Sequence, residues 1–558
     1  MRAPGGAKGA RHHSGAAASA ALVLLVSVLP AARLLAEGAA PETLARLAAD
    51  ARVWRAALHT LEVAAGSTVG AVLVGGGAAI ALSLLRVPAA RLLAFLFVLA
   101  MLIPPQIAAL AWLSALGPSS PLLGMLGLAP PLGAPHPLHG PLGIILLLSV
   151  QTAPIVFLSV RAGLRQVPAE QIEAARSLGA AWPTVLCRVL LPLAAPALAS
   201  GAALAALAAI GNFGTTAMLG LPARYTVLSV LVFSRLSALG PGGLNEAAGI
   251  SLLLAAMAGA VLAAQAFLAR RRPVANLSDI RPLVPVPAGR AGVLVALVLG
   301  LYLLAVLALP VASLLVAALT PAIGVALTAE TATLANFAAV LAPGANVFQA
   351  LGNSLLLAGA AAALLAAMAL GLVLGRPQGR GSFLSAAIDL PYALPGVCVG
   401  VAMILVYLRP LPLLGVSLYG TLGLILIAYL ARFLALALKP VEAAAAAMNP
   451  RLAEAAAILG AGPWRVARSI ALPILAPAAA AGLLLVALTA LNEITVSILL
   501  YAAGSQTLGV MIFSLNDSGQ TGMAAATALL ALALVAVLMA LASLAARRLP
   551  QGTLPWQA

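Results

Sequence analysis

The chain has 558 residues, of which 63% are hydrophobic and only 8% are charged, and its mean hydropathy is +1.12. Soluble globular proteins carry about 25% charged residues, so this composition excludes a soluble globule. The net charge of +16 could suit a nucleic-acid-binding protein, but the basic residues stand at the ends of apolar segments and form no single patch. We therefore predict an all-α polytopic membrane protein.

Apolar windows of about 20 residues, the length that crosses a bilayer, recur along the whole chain. They predict about twelve transmembrane helices, arranged as two six-helix repeats. The first repeat has spans at 17–36, 63–85, 92–116, 142–164, 191–219 and 247–269. The second has spans at 291–317, 350–375, 382–408, 415–437, 472–502 and 523–546. The first span could also be a signal peptide, but the eleven spans behind it favour an uncleaved anchor.

The distribution of Lys and Arg orients these spans. With the amino terminus inside, 23 of the 30 basic residues fall in cytoplasmic segments, among them Arg161, Arg165 and Arg432. Both termini are therefore predicted to be cytoplasmic. Because each repeat has an even number of spans, the two repeats insert with the same orientation and are parallel repeats.

One sequence pattern occurs twice, 281 residues apart, as EAARSLGAAWPTVLCRVLLP (173–192) and EAAAILGAGPWRVARSIALP (454–473). In each copy Glu-Ala-Ala is followed three residues later by Gly and, after twelve further residues, by Pro. The shared positions are Glu173, Ala174, Ala175, Gly179 and Pro192, and Glu454, Ala455, Ala456, Gly460 and Pro473.

Good helix formers surround each Glu-Ala-Ala, and each glycine stands where a helix would end in a left-handed residue. A second short helix should follow, with Pro192 or Pro473 marking the start of the next span. This predicts a helix-turn-helix at the cytoplasmic surface that fits a groove on a soluble partner. A partnerless interfacial loop could explain one copy, but two copies with identical spacing favour docking.

The pattern resembles the EAA motif of the membrane subunits of bacterial ABC importers, where the loop is the coupling helix that docks onto a cytoplasmic ATPase. Since this chain has two such loops, it resembles a fused permease. We predict a first repeat at 1–269 with its loop at 168–191 and a cytoplasmic linker at 270–290. A second repeat at 291–548, with its loop at 446–472, and a cytoplasmic tail at 549–558 complete the chain.

A Walker A loop needs Gly-Lys-Ser/Thr to hold phosphates, and the two lysines of the chain, Lys8 and Lys439, stand in Ala-Lys-Gly and Leu-Lys-Pro. We therefore expect no bound cofactor and no enzyme activity in this chain, with ATP hydrolysed by a partner. The resemblance implies two copies of an ATPase subunit, a periplasmic substrate-binding protein and the bacterial inner membrane as partners and location, and no nucleic acid.

Four further stretches resemble the ferric-iron group of these permeases: 103–118, 212–233, 389–400 and 491–500. The resemblance implies ferric iron as cargo. Thiamine permeases share the fused plan, and polyamine and oxyanion permeases share the wider family, so these cargoes stay open.

Several residues are candidates for a translocation path. Pro104 and Pro105 in the third span and Pro391 and Pro395 in the ninth would interrupt corresponding helices, although ordinary packing kinks are an equal alternative. Glu493 is a charged residue inside a span, and its counterpart near Asn212 is uncharged. A straight helix would place Glu493 roughly 30 Å beyond Pro473, towards the outer side, where it could line the path, make a buried polar contact or face the interface.

Two other classes of protein are less consistent with the sequence. A secondary transporter would carry more ionisable residues inside the spans and no duplicated docking loop, and a membrane-embedded enzyme would need a cluster of His, Asp or Cys. His136 and His139, in a predicted outer loop, could contact a metal, but the polarity of an exposed loop explains them better. We predict no metal site.

Overall fold

A computed structural model describes residues 23–131, 133–238, 242–271, 283–322, 324–375, 382–410 and 415–546. The amino-terminal tail, most of the predicted linker 270–290 and the predicted tail 549–558 lie outside the described residues. The described chain is predominantly helical, as the composition predicts.

The helices of the first repeat are numbered in chain order. They are α1 Leu29–Gly38, α2 Pro41–Ala49, α3 Ala51–Leu84, α4 Ala90–Leu99, α5 Pro105–Leu116, α6 Pro121–Met125, α7 Pro141–Leu164, α8 Ala169–Ser177, α9 Trp182–Ile210, α10 Gly214–Gly220, α11 Leu228–Ser237 and α12 Gly243–Arg271. A π-helical turn, Leu24–Val28, leads into α1, and a 3₁₀ turn, Ala100–Leu102, follows α4.

The helices of the second repeat continue the numbering. They are α13 Arg290–Leu319, α14 Ala335–Leu341, α15 Asn346–Gly375, α16 Ser382–Ala393, α17 Gly396–Tyr407, α18 Leu422–Ala447, α19 Arg451–Ile458, α20 Pro463–Leu491, α21 Ser497–Leu500, α22 Leu508–Asp517 and α23 Thr521–Ala546. Two isolated parallel bridges, Leu85 to Val286 and Gly420 to Tyr501, are the β contacts of the described residues.

Ten described helical segments are long and apolar enough to cross a membrane when α5 and α6 are taken together as Pro105–Met125, and α16 with α17 forms an eleventh span if the bent pair is counted as one. The predicted first span, 17–36, begins outside the described residues. Three predictions of span shape are wrong. The second span starts at Ala51 and not at 63, and the predicted spans 191–219 and 472–502 are each interrupted, since α9 ends at Ile210 and α20 at Leu491.

Each repeat is built on three mutually packed helices, α3, α7 and α9 in the first and α15, α18 and α20 in the second. The two cores are related by a register of 281 residues, as the starts of α7 and α18 show. A glycine at corresponding positions allows a close crossing in both, since a Cβ on Gly201 would lie 3.1 Å from the Cα of Val156, and one on Gly482 would lie 3.2 Å from the Cα of Ala437. Small residues allow such close approach of membrane helices.

The two repeats exchange half-helices. α5 of the first repeat packs against α13 and α23 of the second, and α17 of the second repeat packs against α1 and α12 of the first. The same hydrophobic core runs through both repeats. The halves therefore form one body, whose interface is made by the segments that follow the breaks in the third and ninth spans.

Candidate functional site

Each repeated loop is a short helix that ends just before its glycine. Gly179 has φ +83° and Gly460 has φ +79°, in the left-handed region. The N–H of Gly179 donates to the carbonyl of Arg176 at 3.0 Å. The N–H of Ala180 donates to the carbonyl of Ala175 at 3.0 Å, and the second loop makes the same two bonds at 3.0 and 2.9 Å. This pair of bonds is the Schellman motif, which favours glycine at the left-handed position.

The residue before each glycine is an exposed leucine. Leu178 is 88% exposed and Leu459 is 87% exposed. Neither was singled out from the sequence, although both copies of the motif carry leucine there. Of the predicted motif residues, Glu173, Ala174, Gly179, Pro192, Glu454, Ala455, Gly460 and Pro473 are exposed and Ala175 and Ala456 are half-buried. Each loop thus presents a small apolar tip beside a carboxylate.

The helix after each loop is continuous with the next span, which differs from the predicted separate short helix. Pro192 and Pro473 lie inside α9 and α20. A π-helical turn precedes each proline, at Leu186–Leu190 and Ala467–Ala471. Proline lacks an N–H and crowds the carbonyl four residues back, and the wider π turn accommodates this without ending the helix. From the turn at each glycine, the chain therefore enters a membrane-spanning helix within three residues and continues in it without a break.

The third and ninth spans break where the prolines predict an interruption. The chain leaves helical geometry at Ile103 and Pro104, and α5 starts at Pro105. In the second repeat α16 and α17 meet at an angle of 111°, with Pro395 directly before α17. A residue preceding proline disfavours helical backbone, which explains a break at Leu394. Pro391 is buried inside α16 and not at the break.

A second pair of breaks follows α9 and α20, so Glu493 does not lie on a straight helix. Asn212 and Glu493 correspond in the 281-residue register, and each side chain accepts a hydrogen bond from the backbone N–H three residues later. The Oδ1 of Asn212 accepts from the N–H of Thr215 at 3.0 Å, and the Oε1 of Glu493 accepts from the N–H of Val496 at 2.8 Å. Asn212 thereby accepts from an N–H in the first turn of α10, which has no partner inside the helix, and Glu493 accepts from the N–H of Val496, the residue directly before α21. Both bonds pair backbone N–H groups where the chain resumes helical structure after a break.

The breaks of one repeat meet the breaks of the other. The Nε2 of Gln106, which follows Pro105, donates to the carbonyl of Asn492 at 3.4 Å. A Cβ added to Gly211 would lie 3.6 Å from the Cα of Pro395. Around Gln106 and Asn492 the packed halves leave a cavity of only about 10 Å³, about the space that one water requires. The structure thus brings Pro104, Pro105, Asn212, Pro395 and Glu493 to one interface between the repeats.

The two repeats differ in charge at this interface. In the first, the neutral Gln151 donates to the carbonyl of Pro105 and to the Oγ1 of Thr215, both at 3.3 Å. The residue in register with Gln151 is Arg432, whose Nε lies 3.8 Å from the Oε2 of Glu493. The Glu493 side chain is 7% exposed and that of Arg432 is 19% exposed. The Lys and Arg distribution assigns Arg432 to a cytoplasmic segment, but Arg432 lies well inside α18, so that prediction is wrong.

The ion pair is tightly enclosed. The hydroxyl of Thr495 donates to the carboxylate of Glu493. A Cβ added to Gly396 would lie 1.9 Å from both the Nη1 of Arg432 and the Oγ1 of Thr495, so a larger residue at the start of α17 would displace both side chains. The Nη1 of Arg432 is buried without a hydrogen-bond partner. The second repeat therefore holds a buried charge pair at the position where the first has a neutral network.

A cavity of about 790 Å³ lies between the repeats at the end of α7 opposite to the two repeated loops. Its polar lining comes from both repeats and includes His136, His139, Thr320, Asn336, Asn516 and Gln520. Among the described residues that line it, none is an Asp, Glu, Lys or Arg. We call this cavity the outer vestibule, where outer means the end of the helix bundle away from the repeated loops.

Two histidines line the first-repeat side of the outer vestibule and stack with their ring centroids 4.7 Å apart. The Nε2 of His136 lies 3.0 Å from the carbonyl of Leu113, and the N–H of Leu138 donates to its Nδ1 at 3.1 Å. Both contacts are satisfied together only by the neutral ring. Burial lowers the pKa of His136 below its usual 6.5, and burial together with the neighbouring His136 lowers that of His139. Within the described ranges no group of three or more His, Cys, Asp and Glu side chains could hold a metal.

Residues 71–272 and 367–553 each match the model of the family described as "Binding-protein-dependent transport system inner membrane component". The chain belongs to this family. The two matches on one chain confirm the predicted fused, duplicated permease. They also confirm an ABC importer permease of the inner membrane that is a transporter subunit and not itself an enzyme, and whose partners are an ATPase and a periplasmic binding protein.

Relatives in the binding-protein-dependent transport family differ in how much of the chain they match. A "Probable ABC transporter permease protein y4fN" of Sinorhizobium fredii is 29% identical over 451 residues, 78% of this chain and 78% of that protein. PhnV of Salmonella paratyphi A, named as a permease of a 2-aminoethylphosphonate transport system, is 31% identical over 30% of this chain and 62% of its own length. PhnU of Salmonella choleraesuis, named for the same system, is 30% identical over 35% of this chain and 68% of its own length. None of these names mentions iron.

Among solved structures, a bacterial alginate ABC transporter in complex with a periplasmic protein aligns with a TM-score of 0.38 and 20% identity. The alignment covers 46% of this chain and 94% of that chain.

Replacing Arg432 by Gln should destabilise this permease, because it leaves the buried Glu493 carboxylate without its cation, a loss that costs about 3 kcal/mol. The double variant Arg432→Gln/Glu493→Asn copies the residues in register in the first repeat and should recover most of that loss. Thermal unfolding in detergent measures both.

The matched control for this pair is Lys439→Gln. It breaks the ion pair with Asp389, in which the two side chains are 61% and 46% exposed, and exposed pairs contribute less than about 1 kcal/mol. If Arg432→Gln melts like this control, the buried pair does not stabilise the interface.

The histidines of the outer vestibule predict a pH dependence. Because the pKa of His136 is lowered in the folded protein, the unfolded chain binds more protons below pH 6.5, so stability falls as the pH drops through that range. His136→Gln should remove part of this loss. Melting curves at about pH 7.5 and about pH 5.5 measure it, and equal losses for the variant and the parent protein would contradict the assignment.

Proposed function

We propose that this chain forms the complete membrane path of an ATP-driven importer, in which α8 and α19 each dock one cytoplasmic ATPase subunit. The proposal rests on one observation, which is that the two loops have the same sequence pattern and the same local structure. They share sequence register, C-terminal hydrogen bonds and an exposed leucine at the tip. An exposed apolar residue at a loop tip is typical of a protein contact.

The proposed coupling follows from how each loop joins the membrane helices. α8 leads into α9 and α19 into α20 across a single turn, and both long helices reach the breaks at Asn212 and Glu493. When ATP binding draws the two ATPase subunits together, the loops would approach each other and shift α9 and α20. The breaks and the ion pair at the repeat interface would then separate, and hydrolysis would reset the closed arrangement. ATP itself is bound and hydrolysed by the partner.

We place both coupling loops and both termini in the cytoplasm, because Lys and Arg concentrate on that side. The outer vestibule then faces the periplasm and receives cargo from the binding protein. The proposed path runs from the vestibule past Pro104, Pro105, Asn212, Pro391, Pro395 and Glu493. The neutral polar lining of the vestibule suits transit, because a site that binds tightly would slow release.

We propose ferric iron as the cargo, supported by the four stretches that resemble ferric-iron permeases. A second candidate is an aminoalkylphosphonate, favoured by the similarity to PhnV and PhnU. Thiamine, polyamines and oxyanions complete the range to be compared.

Gly179→Val and Gly460→Val should each impair uptake and substrate-stimulated ATP hydrolysis, because a β-branched residue at positive φ is strained by about 1–3 kcal/mol. A Cβ at either position meets nothing within 4 Å, so the effect comes from the turn and not from a clash. Uptake and ATPase activity of the reconstituted complex measure it.

The matched control is Gly462→Val in the second loop, where φ is −68° and a Cβ also meets nothing within 4 Å. It should retain uptake. The coupling assignment is wrong if the Gly179→Val/Gly460→Val double variant still binds the ATPase and transports.

The cargo is tested with the binding protein that stimulates ATP hydrolysis by the reconstituted complex. Calorimetric titration of that protein with ferric iron, thiamine and 2-aminoethylphosphonate should show binding of ferric iron. Binding of 2-aminoethylphosphonate alone would overturn the iron assignment and leave the importer assignment intact.

A further inference from the structure

A second cavity, of about 230 Å³, lies where α7 ends. Its walls are Leu82 and Ser83 from the end of α3, Arg161, Leu164 and Arg165 from the end of α7, and Leu283 and Pro285 from the described end of the linker. Because α8 begins four residues after Arg165, this pocket lies on the same side of the membrane as the coupling loops. We call it the arginine pocket.

Two cations face the arginine pocket from one side of α7. Arg161 and Arg165 are four residues apart, which places them on the same face of a helix. Among the described residues neither forms an ion pair with a carboxylate. The Arg161 guanidinium lies 5.7 Å from the ring centroid of Phe157, which is fully buried. This contact holds Arg161 at the mouth of the helix bundle.

The linker wall of the pocket is fixed by hydrogen bonds. The N–H of Arg86 donates to the carbonyl of Val286 at 2.9 Å, and the N–H of Val286 donates to the carbonyl of Leu84 at 2.8 Å. The Nε of Arg86 also donates to the carbonyl of Pro285 at 3.1 Å. The pocket is therefore a built cavity with a backbone-bonded wall.

The second repeat does not carry these two cations at the corresponding positions. In the 281-residue register Arg161 corresponds to Glu442 and Arg165 to Ala446. Arginines near a helix C-terminus also complement the helix dipole, but that effect needs neither a pocket nor a linker wall. α18 ends at the corresponding place without the two cations. The arginine pair is thus a property of this one site.

We propose that the arginine pocket binds the phosphate group of an anionic phospholipid. Guanidinium groups pair well with phosphate, and basic pockets between membrane helices on the cytoplasmic side bind anionic head groups. The apolar side chains of Leu82, Leu164 and Leu283 line the same cavity and can contact the glycerol backbone and upper acyl chains. This apolar lining favours a lipid over free phosphate, which would leave those walls uncovered. The lipid would brace the end of α7 that leads into the first coupling loop.

The test measures lipid retention by the full-length permease in nanodiscs of phosphatidylcholine with increasing phosphatidylglycerol, followed by native mass spectrometry. The parent protein should retain phosphatidylglycerol in preference to phosphatidylcholine. Arg161→Gln/Arg165→Gln should bind it about 20–30-fold more weakly, since each arginine at an anionic surface contributes roughly a fivefold gain in affinity. Equal retention by the double variant and the parent would overturn the proposal.

Two further variants and one competitor complete the experiment. Arg91→Gln/Arg270→Gln removes the same charge from exposed positions outside the pocket and should retain the lipid like the parent. If the double variant does not fold, Arg165→Gln alone, at an exposed position, should weaken binding about fivefold, and an unchanged affinity would overturn the proposal. Displacement of the lipid by millimolar inorganic phosphate, with the same dependence on the two arginines, would identify a soluble phosphate as the ligand and also overturn it.

Discussion

The structure depends on satisfying backbone hydrogen bonds where membrane helices are broken. Inside a bilayer an unpaired N–H or carbonyl costs several kcal/mol, so irregular backbone survives only where protein covers it. Four spans are broken, and their breaks meet in pairs across the repeat interface. Asn212 and Glu493 accept hydrogen bonds from backbone N–H groups where helical structure resumes, and Gln106 reaches across to the carbonyl of Asn492. The packing of one repeat against the other therefore covers the irregular backbone of both and removes the free-energy cost of exposing it to lipid.

This constraint also explains the exchange of half-helices. α5 and α17 start at the breaks in the third and ninth spans and continue into the opposite repeat, so neither repeat can complete its core alone. A contact between the repeats at these breaks is then also a contact that holds the fold together. In the proposed transport cycle the repeats must move without exposing the unpaired backbone at the breaks. Movement of whole helices, such as α9 and α20 with their coupling loops, meets that requirement better than local unfolding.

The two repeats share the same backbone arrangement but carry different charges at corresponding positions. Gln151 and Asn212 make neutral contacts where Arg432 and Glu493 form an ion pair, and Arg161 corresponds to Glu442. After duplication within a single chain each half can change alone, which two identical subunits cannot do. The side chains that differ stand at the interface of the repeats and beside the coupling loop, where a difference in charge can affect the two halves differently.

Much of this protein follows from its sequence alone. Hydropathy and the twice-repeated Glu-Ala-Ala pattern determine the membrane class, the duplication and the two helix-turn loops, because each is a local or periodic property of the chain. Positive φ at Gly179 and Gly460 was predictable for the same reason. The sequence did not predict that Arg432 is buried inside a helix. A single basic residue near the predicted end of a span is assigned to the adjoining loop unless its buried partner is known.

Only the tertiary structure determines which residues from distant parts of the chain are in contact. The pairing of Arg432 with Glu493, the closure of the breaks and the arginine pocket each join residues far apart in sequence, and hydropathy carries no information on such contacts. The end of α9 at Ile210 and that of α20 at Leu491 likewise depend on hydrogen bonds at the breaks and cross-repeat packing, so an uninterrupted apolar sequence could not reveal them. Local patterns specify helices and loops, whereas the cost of burying polar groups in a bilayer decides how those helices are broken and assembled.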